Sequence, residues 1–361
     1  MPVDPFLDPN CQHAINQHTF DQHTLKDSFV CVGRGLHSGL KVIMTVMPAE
    51  ENSGYRFIRK DVDSKFKEIT ALWHNVTDTR LSVTIANKHG IRVSTVEHLL
   101  AALQSCGVDN AVIVLDGPEV PILDGSARPF VDLIRSVGLV KLDDPRMAIR
   151  VKKRVRLQDG EKEIELVPSP QSWINMSICF PSSVIGQQAL HIDISQHSFT
   201  EDVADARAFG FQEEAKTLHK LGLARGGSVH NLVVVDHHSV LNQEGLRYSD
   251  EFVRHKILDC IGDFTLAGAR VVAGVNAKCC GHSLNNQLLH KLMDDETAYE
   301  LVKLRDVAGK KQVSATSHAN KPNDARAVEG NSGGYLQSFR RHGGKHSRAE
   351  KTVSKINSRG K

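Results

Sequence analysis

The sequence predicts an α+β fold built from two similar units, and three observations carry that prediction. A chain of 361 residues has room for about two domains. Short runs of alternating or β-branched residues outnumber helical stretches, so strands dominate. The same succession, several strands and two helices, occurs twice, over residues 24–146 and again over 147–304. Aromatic residues are only 5% of the chain and apolar ones 40%, so aliphatic cores are expected.

In the first unit, Phe29–Val32 and Lys41–Met47 read as strands around the turn G-R-G-L-H-S-G at 33–39, where glycine suits positive φ. Tyr55–Ile58, Ile69–Leu72 and Arg80–Ile85 continue as short strands. Val93–Cys106 places Val96, Leu99, Leu100 and Leu103 at helical spacing, with Ser94 or Thr95 to cap it and Gly107 to stop it. Asp109–Leu115 reads as a buried strand and Ala127–Val137 as a second helix. The second unit opens with Ile149–Leu157 and Lys162–Val167 around Asp159-Gly160, a hairpin signal. Trp173–Phe180, His191–Phe199 and Asn231–Asp236 are expected strands, and Gln212–Leu221 is amphipathic. Tyr248–Gly268 reads as a long helix, Val271–Ala277 as a strand and Asn285–Leu304 as the last helix.

The flanks differ from this body. Residues 1–23 are polar with early prolines and read as an extension. Residues 305–361 hold 13 Lys and Arg against 4 Asp and Glu, a net +9, which leaves −6 for the rest of a chain of net +3. The polar, glycine-rich composition of that tail predicts disorder. Its charge allows weak contact with an anionic membrane face or with nucleic acid. A solvated tail is the simpler expectation, and no nucleic-acid partner is expected. No run of about 18 apolar residues and no N-terminal apolar h-region occur, so neither a membrane helix nor a secretory signal is expected. Seven scattered cysteines without a C-x-x-C spacing fit a reducing cytosol, so a cytoplasmic location is expected. Adjacent Cys279 and Cys280 point to opposite sides of a strand and make a poor joint ligand.

The residues that carry chemistry centre on R-H-K-I-L-D-C-I-G-D at 254–263. His255, Asp259 and Asp263 follow at intervals of four, so on a helix they share one face. An imidazole and a carboxylate so placed can hold one divalent metal. Glu97-His98, early in the first helix, adds a second histidine and a free carboxylate. His98, His255 and Asp259 then form three protein ligands with an open fourth position, the catalytic rather than the structural pattern for zinc, with iron(II) as an alternative. Glu97 is placed to act as general base. His282, just past a strand, is a candidate general acid whose imidazolium Asp263 can orient and favour. Each feature alone has an ordinary explanation: a surface Glu-His pair, or a solvated loop histidine. His37, at the glycine-rich turn, is a site candidate of the same ambiguous kind.

H-K-I-L-D-C-I-G-D stands with S-T-V-E-H-L-L-A-A-L, G-R-G-L-H-S-G, I-L-D-G-S-A-R-P-F, A-R-A-F-G-F, L-R-Y-S-D-E-F-V-R-H-K and G-H-S-L-N-N. The set closely resembles the UDP-3-O-acyl-N-acetylglucosamine deacetylase family, zinc amidases of lipid A synthesis in Gram-negative bacteria. The resemblance runs in order from about Thr24 to Leu304. It implies two similar α+β domains, each with an insert, and helices of both packed between the two sheets. It implies zinc ligation by His98, His255 and Asp259, a base in Glu97, and an acid in His282 partnered by Asp263. Lys256 is implied to contact substrate, Phe209 to pack on the glucosamine ring, and Phe180 to lie near the uracil. The second insert, about 209–236, is implied to form an apolar passage for an acyl chain, with Leu218, Leu221, Leu223 and Val229 as candidates. The implied activity is removal of acetate from UDP-3-O-(3-hydroxyacyl)-N-acetylglucosamine, the committed step of lipid A biosynthesis, by a monomer.

Three positions depart from the family pattern. Ala208 stands where the family usually has a threonine whose hydroxyl helps bind the oxyanion, and losing one such donor costs roughly 10²–10³ in rate. Ala208 therefore motivates a second expectation, a catalytically weakened homologue that mainly binds the nucleotide-lipid or a partner. Cys279 replaces a basic residue. Lys278, one place earlier, faces the other side of its strand. Ser82 stands where some members carry a cysteine that can coordinate excess metal.

Overall fold

In Lys41–Pro48 the buried Val42, Met44 and Val46 alternate with exposed or half-buried residues, the period-two pattern of a strand with one face on a core. In the computed structural model, which describes residues 20–63 and 65–305, this strand belongs to a five-stranded sheet. The sheet order is Phe29–Arg34, Lys41–Pro48, Ala111–Leu115, Tyr55–Arg59, Glu68–Thr70. Its central strand, Ala111–Leu115, runs antiparallel to Lys41–Pro48 and parallel to Tyr55–Arg59. The second five-stranded sheet has the order Val155–Asp159, Lys162–Val167, Gly274–Lys278, Trp173–Cys179, Gln187–Asp193. Its central strand again runs antiparallel to one neighbour and parallel to the other. Strand order and direction therefore repeat, and the fold is α+β as the sequence predicts.

Helices α1 (Glu97–Ser105) and α2 (Arg128–Val137) precede and follow the first central strand. Helix α3 (Gln212–Lys220) lies in the second insert. Helices α4 (Glu251–Thr265) and α5 (His282–Met293) precede and follow the second central strand. Helix α1 packs on α4, and α4 on α5 and on two strands of the second sheet. The inner side chains of both sheets and the helices form one apolar cluster, including Met44, Phe57, Leu99, Phe130, Ile164, Met176, Leu258 and Leu288. Of the 15 residues of α4, only Arg254 and Lys256 are not buried. A helix covered on all sides must find partners for each buried polar group, and α4 buries Glu251, His255, Asp259 and Asp263.

The contact between α1 and α4 is backbone on backbone. A β-carbon at Gly262 would lie 2.1 Å from the carbonyl oxygen of Glu97, so only glycine permits the approach.

Several boundaries differ from expectation. Helix α1 begins at Glu97, and neither Ser94 nor Thr95 caps it. Thr95 has φ +58°, and its hydroxyl donates to Glu119 Oε1 at 2.9 Å. The expected strand His191–Phe199 is displaced to Gln187–Asp193, and Ser195 instead caps a short helical turn. The last helix ends at Met293, where Asp295 Oδ1 accepts from the Thr297 amide and hydroxyl. Tyr299–Lys303 is a strand antiparallel to Met147–Val151. Asp21–His23, expected in the extension, belong to a strand paired with Leu139–Pro145, and Gln22 is held there by Asn52 and Pro145. Residues 1–19 of the expected extension, and the basic tail beyond Arg305, lie outside the described residues. No described helix is long and apolar enough to cross a membrane.

Gly262→Ala is expected to lower the unfolding free energy by about 1–3 kcal/mol, the usual cost of overpacking where backbone must move. Urea unfolding measures it. An unchanged midpoint would mean that α1 and α4 do not meet at this point.

Candidate metal centre

His255 and Asp259 stand one turn apart on the inner face of α4. His255 Nδ1 donates to the Ala206 carbonyl oxygen at 3.0 Å, which leaves the Nε2 lone pair free, 3.4 Å from Asp259 Oδ1. Burial depresses the His255 pKa to about 4, so its imidazole is neutral and fit to ligate. Helix α1 brings His98 Nε2 to 3.7 Å from the same oxygen. The three ligand atoms lie within 4.8 Å of one another and all three residues are buried. Donors about 2.0–2.1 Å from a tetrahedral zinc stand about 3.3–3.4 Å apart, close to the 3.4 and 3.7 Å from the two imidazoles to Asp259 Oδ1. Two imidazoles and one carboxylate are also a donor set suited to zinc or iron(II). Lys256 Nζ sits 2.6 Å from the other Asp259 oxygen, Oδ2. Burial opposes ionisation of Asp259, but Lys256, then His255 and His282, hold its pKa well below the ordinary value.

A carboxylate and an imidazole flank this cluster. Glu97 Oε2 accepts from the Val83 amide at 3.0 Å, while Oε1 lies 4.0 Å from His282 Nε2. Burial raises the Glu97 pKa. His282 is not in a loop; it is the first residue of α5. Its Nδ1 lies 2.9 and 3.0 Å from the Asp263 oxygens, and Asn285 Nδ2 donates to Asp263 at 2.7 Å. Burial alone would depress the His282 pKa. Asp263 and Asp259 outweigh it and raise the value to about 9.

The cluster forms the floor of a cleft of about 600 Å³ whose lining includes Glu97, His98, His255, Lys256, Asp259 and His282. Phe180, Phe209 and Phe211 make an aromatic wall, with Phe180 and Phe209 centroids 5.5 Å apart and edge-on. His37 also lines the cleft, and its Nε2 is buried without a hydrogen-bond partner. Of the four expected acyl-passage residues, Leu218 lines the cleft together with Leu36 and Leu232. Leu221, Leu223 and Val229 do not line it, and Leu221 and Val229 are 69% and 41% exposed. Ala208 and Cys279 line it, whereas Lys278 turns away toward Glu161.

Three positioning groups escape the sequence analysis. Glu119 is buried and accepts from the His37 and Ser38 amides, each at 2.8 Å, and from Thr95. It thus ties the glycine-rich turn to the start of α1, and Gly35 is needed because a β-carbon there would meet Glu119 Oε2 at 2.2 Å. Nothing local in D-G-P-E-V-P announces this. Asn285 was legible, since it follows His282 by three and so shares its helical face. Lys162, from the hairpin of the second sheet, lines the cleft with no sequence signal to mark it.

The family model for UDP-3-O-acyl N-acetylglycosamine deacetylase matches residues 22–294. A UDP-3-O-acyl-N-acetylglucosamine deacetylase of Myxococcus xanthus (strain DK1622) is 44% identical over 287 residues, 80% of this chain and 91% of its own length. The protein of that name from Shewanella violacea is 44% identical over 283 residues, 78% and 92% of the two chains. That from Tolumonas auensis is 42% identical over 296 residues, 81% and 96%.

His98→Ala and Asp259→Ala are each expected to lose a stoichiometric metal, read by elemental analysis of the purified protein. Asp263→Asn is expected to keep the metal while losing about 10²-fold or more of turnover, the usual range for a disabled general acid. Metal retained by the first two variants would remove the ligand assignment.

Proposed function

The chain belongs to the UDP-3-O-acyl N-acetylglycosamine deacetylase family, and from that premise we propose that it hydrolyses the N-acetyl amide of UDP-3-O-(3-hydroxyacyl)-N-acetylglucosamine. Acetate and the free 2-amino sugar are the products, a step of lipid A biosynthesis. The observation that supports this reading best is the pairing of Glu97 with His282 across a set of three metal-type donors. Zinc is the proposed metal, held by His98, His255 and Asp259, with iron(II) the alternative. When bound there it supplies Lewis-acid polarisation of the amide carbonyl and a lowered pKa for water.

The chain's own residues do the rest. Glu97, fixed by the Val83 amide and made more basic by burial, takes a proton from the water that attacks the amide carbon. His282, held as imidazolium by Asp263, gives a proton to the amine nitrogen as the C–N bond breaks. Lys256 presents a fixed positive charge at the cleft floor beside Asp259 and is the proposed partner of the developing oxyanion. The Phe180 and Phe209 rings offer apolar faces to the uracil and the sugar, and Lys162 offers the diphosphate a cation. His37 lines the cleft as well, and Leu218 with Leu36 and Leu232 offers the acyl chain an apolar wall. The cytoplasm is the proposed compartment, and the six described cysteines are all unpaired.

Ala208 supports a second reading, a weakened homologue, because it lines the cleft without the hydroxyl that a threonine would bring. Acetate release from the UDP-sugar by zinc-reconstituted protein separates the two. The hydrolase reading expects turnover, a loss of about 10²–10⁴ in kcat for Glu97→Ala, and a rise of about tenfold or more for Ala208→Thr with KM little changed. Substrate binding without turnover in the wild type, with turnover appearing in Ala208→Thr, would favour the weakened homologue instead.

A further inference from the structure

The two five-stranded sheets share their strand order, yet their outer faces differ. On the second sheet the outward cross-strand pairs are Arg156 with Glu165 and Gln158 with Glu163, and Asn175 stands beside Asn276. On the first sheet Val32 stands opposite Ile43 and Val30 opposite Thr45. Val30, Val32 and Ile43 are 56%, 51% and 37% exposed, and Leu40 beside them is 54% exposed. Scattered exposed valines are ordinary, but a contiguous apolar strip along an edge strand is what soluble proteins cover or avoid. Phe29–Arg34 is such an edge.

The strip ends in a cluster of cations. Arg34 stands directly opposite Lys41, and like charges so placed repel. Arg34 Nη1 donates to the Gly39 carbonyl oxygen at 3.0 Å. The Gly39 backbone lies against Arg225, whose Cβ would be 3.1 Å from a β-carbon there. All three cations are exposed, and none forms an ion pair with a described carboxylate. The nearby Asp116 is engaged by the Ile43 amide at 2.6 Å. The same turn supplies Leu36 and His37 to the cleft, so the cationic cluster sits between the apolar strip and the apolar end of the site.

We propose that this face is a docking surface for an anionic phospholipid bilayer. Phosphate headgroups meet Arg34, Lys41 and Arg225, and the apolar layer beneath them meets Val30, Val32, Leu40 and Ile43. The charge argues for this occupant over a second copy of the chain, because a two-fold contact would bring three more cations to the same interface. Each cation at an anionic surface strengthens binding about fivefold, an effect that salt screens.

Vesicle sedimentation of the full chain tests the proposal, with vesicles of phosphatidylethanolamine and phosphatidylglycerol compared with phosphatidylcholine alone. Val32→Asp/Ile43→Asp and Arg34→Glu/Lys41→Glu are the variants, with residues 305–361 unaltered in every chain and circular-dichroism melting to confirm folding. The wild type is expected to bind the anionic vesicles only, less tightly as salt rises, and each double variant about tenfold or more weakly. The proposal is overturned if the wild type fails to bind, or if folded variants bind as the wild type does. It is also overturned if light scattering shows that Val32→Asp/Ile43→Asp breaks a dimer without changing vesicle binding, which would assign the face to a second copy. Amide exchange over residues 30–43 that rises only when residues 1–19 are removed, with vesicle binding unchanged, would assign it to the chain's own N-terminal segment.

Discussion

The carbonyl oxygen of Glu97 occupies the space that a β-carbon on Gly262 would need, and the candidate metal centre depends on that contact. His98 follows Glu97 directly, so the closeness of the two helices sets how near its imidazole comes to His255 and Asp259. A side chain at position 262 would push the start of α1 away from α4 and spread donors that now lie within 4.8 Å of one another. The site thus belongs to neither repeat. One repeat contributes Glu97 and His98, the other His255, Asp259, Asp263 and His282, and a missing side chain makes the joint close enough.

Burial of α4 on all sides turns its polar residues into a single electrostatic system. Asp259 divides its two oxygens, Oδ1 toward the histidine pair and Oδ2 toward Lys256. Two histidines in nearly the same surroundings are driven in opposite directions. Burial depresses His255 to about 4, whereas at His282 the carboxylates of Asp263 and Asp259 outweigh burial and raise it to about 9. One is thereby kept neutral, as the proposed ligand must be, and the other charged, as the proposed acid must be.

Much of this was legible in the residues. The spacing of four between His255, Asp259 and Asp263 needs only a helix to become a face, and Glu97-His98 needs only a second helix beside the first. The repeated order of strands and helices was visible as well. What the sequence hid is non-local. Thr95 looks like a cap, but a carboxylate 24 residues away takes its hydroxyl and holds it at positive φ. Tyr299–Lys303 reads as a continuation of helix until its partner, Met147–Val151, is known. Apolarity could not tell Leu218, which faces the cleft, from Leu221, which faces solvent, because both lie on one short insert.

Anomalous diffraction from crystals of the zinc-loaded chain tests whether one metal ion joins the two repeats. A single strong zinc peak is expected, bonded to Nε2 of His98, Nε2 of His255 and a carboxylate oxygen of Asp259, with Glu97 and His282 on either side and not bonded. A zinc peak elsewhere, or bonded to only one repeat while the other's ligands stay free, would contradict it.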